Sequence, residues 1–179
     1  MTSEKVFPVL ISSRDVYAGR VIKLRVDEIE VKPGLNVRRE VIEHPGAVVI
    51  VPVDDEGRVL WIRQHRYAAG RELLELPAGT LEPDEAPEAT ARRELVEETG
   101  FAAAEWQRLG GFYSAPGFCG EYLHAYLAMA LTPESADGDE DEDITLEPLS
   151  VEESLARIDA GEVEDAKSLA SILLFLRHR

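Results

Sequence analysis

The chain has 179 residues, 45% hydrophobic and 30% charged, and 19 Lys and Arg against 35 Asp and Glu leave a formal charge of −16. A chain of this length buries a substantial core, its composition excludes a disordered, collagen-like or disulfide-built protein, and its charge repels a phosphate backbone, so no nucleic-acid partner is expected. An acidic protein can nevertheless handle anionic phosphates when cations neutralise its carboxylates.

In chain order, residues 5–76 read as strands. Residues 16–21 lead into 23–31, which alternate with period two; Pro33-Gly34 marks a turn, and 36–42 alternate again. His44-Pro45-Gly46 is the strongest internal break, so residues 1–45 are expected to form a β-region of their own and 46–179 the main domain. Ala47-Val48-Val49-Ile50-Val51 is a continuous apolar run, the pattern of a strand covered on both faces. Asp54-Asp55-Glu56-Gly57 then closes a hairpin onto residues 59–64.

A helix is predicted over 87–99, with Pro87 tolerated in its first turn and Gly100 just past its end. Strands near 106–112 and 122–130, a polar acidic loop over 134–143 and a strand at 144–149 follow. Two helices, 151–160 and 167–178, close the chain. In the second of these, Leu169, Ile172, Leu173 and Leu176 form an apolar stripe expected to face the core. Strands first and helices later, with one helix between strands, predict an α+β protein, an α/β/α sandwich with a mixed sheet.

Cys119 is the sole cysteine, so no intrachain disulfide can form and nothing points to secretion. Its loop has no basic neighbour to stabilise a thiolate, which makes it a small loop residue rather than a nucleophile. His44 and His124 lack a partner spacing for zinc and read as structural. The first residues lack the pattern of a signal peptide, and no stretch approaches about 18 consecutive apolar residues. The expectation is a cytoplasmic protein without a membrane partner.

The chemistry sits in the 87–99 helix. With about 3.6 residues per turn, Glu94, Glu97 and Glu98 share one face, while Ala89, Leu95 and Val96 are expected to turn away from it toward the sheet. Carboxylates so close repel one another, yet an oxygen-rich cluster is what hard divalent cations require. Arg93, four residues before Glu97, is placed to hold that carboxylate. Taken alone, such a face is equally a solvated acidic surface, and the surrounding positions decide.

Gly79, Glu85, Arg93, Glu94, Leu95, Glu97, Glu98, Gly100 and Phe101 match every constrained position of the Nudix box. The chain therefore resembles a Nudix hydrolase. That resemblance implies the Nudix fold, with a mixed sheet, and hydrolysis of a nucleoside diphosphate joined to another moiety with Mg²⁺, or Mn²⁺, as cofactor. It implies Glu94 and Glu98 as the most regular metal ligands, joined by Glu97 and the backbone carbonyl of Ala78. Catalytic roles are expected for Arg93 and Glu97.

Outside the box the chain is similar to the ADP-ribose pyrophosphatases. Arg63-Gln64-His65-Arg66 and Glu75-Leu76-Pro77-Ala78-Gly79 carry the likeness upstream, with His65 where Tyr is usual. Downstream, Pro116 follows Gly100 by 16 residues (116 − 100 = 16) within Ser114-Ala115-Pro116-Gly117, ahead of Glu121. The implied substrate-binding residues are Arg63, Arg66, Glu75, Ser114, Pro116, Gly117, Glu121 and, from the N-terminal region, Arg25. Arg63 and Arg66 would clamp phosphate through forked hydrogen bonds. In similar enzymes the acidic loop supplies a glutamate; Glu140 is the expected base and Glu142 an additional metal ligand. The resemblance also implies a homodimer that exchanges the N-terminal antiparallel β-region, with Tyr17 and Arg20 near the nucleoside. The expected reaction converts ADP-ribose, a nucleotide-sugar, to AMP and ribose 5-phosphate. The alternatives are a pyrophosphatase for another nucleoside diphosphate sugar or dinucleotide, or a non-catalytic ADP-ribose sensor.

Overall fold

A computed structural model describes residues 7–135 and 144–178, so Glu140 and Glu142 lie outside the described residues. The chain divides into two compact units, Met1–Pro45 with Tyr113–Glu121, and Gly46–Phe112 with Tyr122–Arg179.

The first unit is an antiparallel sheet of β1 (Val9–Ala18), β2 (Lys23–Lys32) and β3 (Leu35–Glu43), in the order β1-β2-β3. The tight turn between β2 and β3 uses Gly34 at φ +77°, a left-handed conformation that costs glycine nothing. Apolar residues on β2 and β3 pair across the ladder, with Leu24 opposite Ile42 and Ile29 opposite Val37. The 113–121 segment joins this unit at Ile42, whose N–H donates to the Phe118 carbonyl at 2.7 Å and whose carbonyl accepts from Gly120 at 2.9 Å.

The second unit holds two sheets. One is ordered β7-β4-β9-β8, from β7 (Ala78–Thr80), β4 (Ala47–Pro52), β9 (Tyr122–Pro133) and β8 (Phe101–Tyr113); the other is β10-β5-β6, from β10 (Ile144–Ser150), β5 (Arg58–Arg66) and β6 (Arg71–Glu75). β4 runs parallel to β9 and antiparallel to β7, so the sheet is mixed. All of β4 is buried, and its alternating side chains feed two separate cores. Val48 and Ile50 pack with Ala91 and Leu95 of α1 (Pro87–Thr99) and with Tyr126 and Ala128 of β9. Ala47, Val49 and Val51 pack on the opposite face with Leu123, Ala125 and Leu127, and with Ile172 and Phe175 of α3 (Ala166–Leu176). A sheet covered by α1 on one face and α3 on the other is the α/β/α arrangement.

Two expectations about helix faces are corrected. Ala89 is exposed, and Ala91 takes the buried place beside Leu95, because Ala91 lies four residues before Leu95 and shares its face, whereas Ala89, six before it, is turned about 120° away. In α3, Leu169 and Leu173 are exposed; the buried face is Ser168, Ser171, Ile172 and Phe175. Two small serines take the buried places, and Ser168 accepts the Leu76 N–H, an outcome that apolar periodicity does not register.

The remaining helix, α2 (Val151–Asp159), opens with a capping box in which the Glu153 N–H donates to Ser150 Oγ and the Ser150 N–H to the Glu153 carboxylate. One turn on, buried Ser154 accepts the indole N–H of fully buried Trp61 at 2.8 Å. Ser154→Ala removes that acceptor and strands the indole N–H in the core, so urea unfolding is expected to show a loss of about 1–3 kcal/mol. A change under about 0.5 kcal/mol, the ordinary size of a neutral substitution, would mean that Trp61 does not depend on Ser154.

Candidate functional site

Helix α1 is built to present carboxylates. Its first turn has no side-chain cap at Ala86; Pro87 occupies N1, where a missing N–H costs nothing. Thr90 Oγ1 instead donates to Glu85 at 2.8 Å, fastening the preceding loop to the helix. The far end stops at Gly100, φ +73°, whose N–H returns to the Val96 carbonyl.

Arg93 organises the acidic face. Its Nη1 donates to Glu94 and to Glu97, both at 2.8 Å, while Nε and Nη2 reach Glu85 at 3.3 and 3.2 Å. Burial works against the guanidinium's charge, but the Glu85 hydrogen bond and the neighbouring Glu94 and Glu97 push its pKa up overall. The same guanidinium holds Glu85 below the usual carboxylate range. One cation against Glu85, Glu94 and Glu97 leaves this group of side chains negative.

The short strand β7 completes the arrangement. The Ala78 N–H donates to the buried carboxylate of Glu98 at 2.9 Å. The Pro77 carbonyl accepts from Ile50 on β4, so in an extended chain the polar groups of Ala78 point to the other edge, toward Glu98. At Gly79 a Cβ would stand 1.8 Å from Glu94 Cδ; the missing side chain is the space that the Glu94 carboxylate occupies. Glu94 and Glu98 thus flank the Ala78–Gly79 backbone.

Among the described residues no three His, Cys, Asp or Glu side chains already converge on one point as a finished metal cage. The donor chemistry nevertheless fits a hard divalent cation. Two carboxylates and a backbone carbonyl edge supply only oxygen, and Gly79 opens the cradle that admits one of them.

A second ionic group lies upstream of β7. Glu75 is 1% exposed, and Arg66 donates to it from Nε at 3.0 and 3.2 Å and from Nη2 at 2.8 Å. Lys167 Nζ binds the same carboxylate. Burial alone would raise the Glu75 pKa, but the Arg66 hydrogen bond and the Lys167 charge hold it below its ordinary value. Arg66 is shifted up, first by its hydrogen bond to Glu75, against burial, and further by the charges of Glu98 and Asp165. Arg63 donates from Nε to Glu147 at 2.6 Å, so it too is held by a carboxylate.

The other expected substrate residues lie in the first unit. Arg25 donates from Nε to both oxygens of Asp27 at 3.1 and 3.0 Å and pairs with Glu43. Ser114, Pro116, Gly117 and Glu121 belong to the segment joined to β3, where the Ser114 N–H donates to the Glu121 carbonyl at 3.2 Å and Glu121 stands 3.7 Å from His44 Nε2. Cys119 is half-buried, in a bridge to Ile42. His124 is half-buried, edge-on to Tyr122 at 5.0 Å, and burial and the Arg108 charge push its pKa down.

The residues missed from sequence are Lys167, Asp165 and Ser168. Asp165-Ala166-Lys167-Ser168 carries a helix-capping signal, and Asp165 does cap α3. The reach of Lys167 to a glutamate 92 positions earlier has no signal in the sequence.

Comparison with known proteins identifies the family. The NUDIX domain matches residues 43–171. The chain is 38% identical to an ADP-ribose pyrophosphatase of Bacillus subtilis over 90% of this chain and 89% of that one. It is 40% identical to an ADP-ribose pyrophosphatase of Mycobacterium tuberculosis over 91% of this chain and 80% of that one. A crystal structure described as an ADP compounds hydrolase shares the fold, with a TM-score of 0.86 at 24% identity over 98% of this chain and 96% of that one.

Gly79→Ala forces only the flexible end of Glu94 to move. The expected result is a folded protein with nearly unchanged thermal stability and an affinity for Mn²⁺, read by electron paramagnetic resonance, weaker by about tenfold or more. Unchanged Mn²⁺ affinity would remove Glu94 from the cation site.

Proposed function

The chain belongs to the NUDIX family, and we propose that it hydrolyses the pyrophosphate of ADP-ribose to AMP and ribose 5-phosphate with Mg²⁺ as cofactor, in the cytoplasm. The observation that carries this reading is the pair of carboxylates, Glu94 and Glu98, set on either side of the Ala78–Gly79 backbone. The names of the Bacillus subtilis and Mycobacterium tuberculosis relatives support the substrate.

A bound divalent cation supplies charge neutralisation for the pyrophosphate and Lewis acidity toward phosphoryl oxygen and water. The residues that would hold it are Glu94, Glu98 and the Ala78 carbonyl, with Glu97 and Glu142 as further ligands. Arg93 holds Glu94 and Glu97 in place despite their mutual repulsion. Arg66 and Arg63 offer forked donors to the substrate phosphates, and Glu75 fixes the fork of Arg66. Glu140 takes the proton of the attacking water as its oxygen bonds to phosphorus; the bond to the bridging oxygen breaks and the leaving phosphate carries the electron pair. Ser114, Pro116, Gly117, Glu121 and Arg25 contribute the remaining contacts to the nucleotide-sugar.

The test is product analysis with ADP-ribose, GDP-mannose and NADH, with Mg²⁺ and with EDTA. Mg²⁺-dependent release of AMP and ribose 5-phosphate, with ADP-ribose preferred, is expected. Glu98→Gln should lower kcat at least about 100-fold. Preference for another compound would discard the substrate, and full activity in the Gln variant would discard the metal ligand.

A homodimer belongs to the same proposal. Every residue of β1 after Val9 is exposed, and Leu10, Ile11, Val16 and Tyr17 put apolar surface on this edge strand, with Val21, Ile22 and Leu35 nearby in the chain's first unit. Monomers rarely leave such an edge bare, and a second copy of this chain would cover it. Sedimentation is expected to show a dimer for the wild type and a monomer for Leu10→Glu/Val16→Glu. A monomeric wild type would refute it.

A further inference from the structure

We propose that Lys167, in the first turn of α3, is a positioning residue that keeps Arg66 available to the pyrophosphate by sharing the carboxylate of Glu75. This rests on the reading of Arg66 as a phosphate-binding residue. The observations are a chain of four alternating charges and one serine. Asp165 Oδ2 accepts from Lys167 Nζ at 2.8 Å and from the Ser168 N–H and Oγ at 3.0 and 2.6 Å. Lys167 Nζ continues to Glu75, and Glu75 to Arg66. Ser168 Oγ accepts in turn from the Leu76 N–H at 2.8 Å, two residues before Ala78. The first turn of α3 therefore grips the strand that leads to the box at two points, one ionic and one through the backbone.

The charge arithmetic gives Lys167 its role. Glu75 is almost fully buried and needs compensation. Were Arg66 its sole cation, the guanidinium's charge would be spent on that carboxylate, and an incoming phosphate would have to compete for it. With Lys167 present the four groups balance, two cations against the carboxylates of Glu75 and Asp165, so Arg66 is not the only cation that Glu75 draws on; without Lys167 the two carboxylates would outweigh Arg66. Arg66 spends Nε and Nη2 on Glu75, which turns the Nη1 edge of its planar fork away from that carboxylate. It is also the more exposed of the two cations, with 36% of its side chain open against 15% for Lys167. Lys167 is thus the more covered counter-charge and Arg66 the one that can meet a ligand.

The experiment is a double-mutant cycle on the full chain, combining Lys167→Met with Arg66→Ala. Steady-state kinetics with ADP-ribose and calorimetric binding of imidodiphosphate in the presence of Mg²⁺ are read for each variant. Lys167→Met should raise KM by about tenfold and weaken imidodiphosphate binding to a similar extent, with kcat changed less than about threefold. Lys167→Arg should restore both. In the Arg66→Ala background the Lys167 substitution should have no further effect. Should Lys167→Met fold poorly, Lys167→Gln keeps a hydrogen bond, removes the charge and is read in the same cycle. Unchanged KM and binding in the neutral variants, or additive losses in the double variant, would overturn the role. A wild type inert toward ADP-ribose would refute the substrate alone, because the imidodiphosphate cycle decides the role of Lys167 without turnover.

Discussion

One guanidinium makes the acidic helix tolerable. Glu94, Glu97 and Glu98 on a single face would weaken α1 by mutual repulsion, and Glu85 from the preceding loop adds a further negative charge. Arg93 meets Glu85, Glu94 and Glu97 simultaneously, so the loop, the helix and two of its three face carboxylates become one ionic unit. The compensation is incomplete, one cation against three anions, and that residual negative potential is what a divalent cation would answer under the proposed function.

Carboxylates held by Arg93 still need a partner surface, and the central sheet supplies it. β4 is buried on both sides, and its Val48 and Ile50 fix α1 by packing on Ala91 and Leu95. β7 pairs with the same strand, Val48 opposite Gly79. The helix and the short strand that face each other across the site are therefore indexed to one buried strand. The room for the Glu94 carboxylate between them is then set by Gly79, where any side chain would take that volume.

On the other side of β7 the chain is secured by α3 rather than by α1. Ser168 captures the Leu76 N–H and Lys167 captures Glu75, while Ile172 and Phe175 pack in the core with Ala47, Val49 and Val51. Ser168 explains why α3 does not turn its most apolar stripe inward: accepting the Leu76 N–H at close range calls for a small polar side chain, where Leu169 and Leu173 offer none. The cost is two exposed leucines and one buried hydroxyl, Ser171 Oγ, without a hydrogen-bond partner.

Much of this was legible in the residues themselves. Pro87 and Gly100 delimit α1 because proline and left-handed glycine are local demands of a helix terminus. The unbroken apolar run of β4 announces a strand buried on both faces, and the spacing of Gly79, Arg93, Glu94, Glu97 and Glu98 announces the motif. These are short-range signals, carried by backbone preference and by fixed helical geometry. Which face of a helix a core accepts is not such a signal: Ala89, Leu169 and Leu173 have the right character for burial and are exposed, because the docking of α1 and α3 depends on what the sheet offers. Nor do Arg63, Arg66 and Glu75 reveal their engagement. That Arg63 is held by Glu147, and that Glu75 is shared by Arg66 and Lys167, follows from strands and a helix brought together over separations of 84 and 92 positions. The sequence by itself determined the chemistry of the carboxylates and the elements that bear them, since both are local; the tertiary structure alone decided which charge answers which, because a charge is neutralised by whatever the fold places beside it.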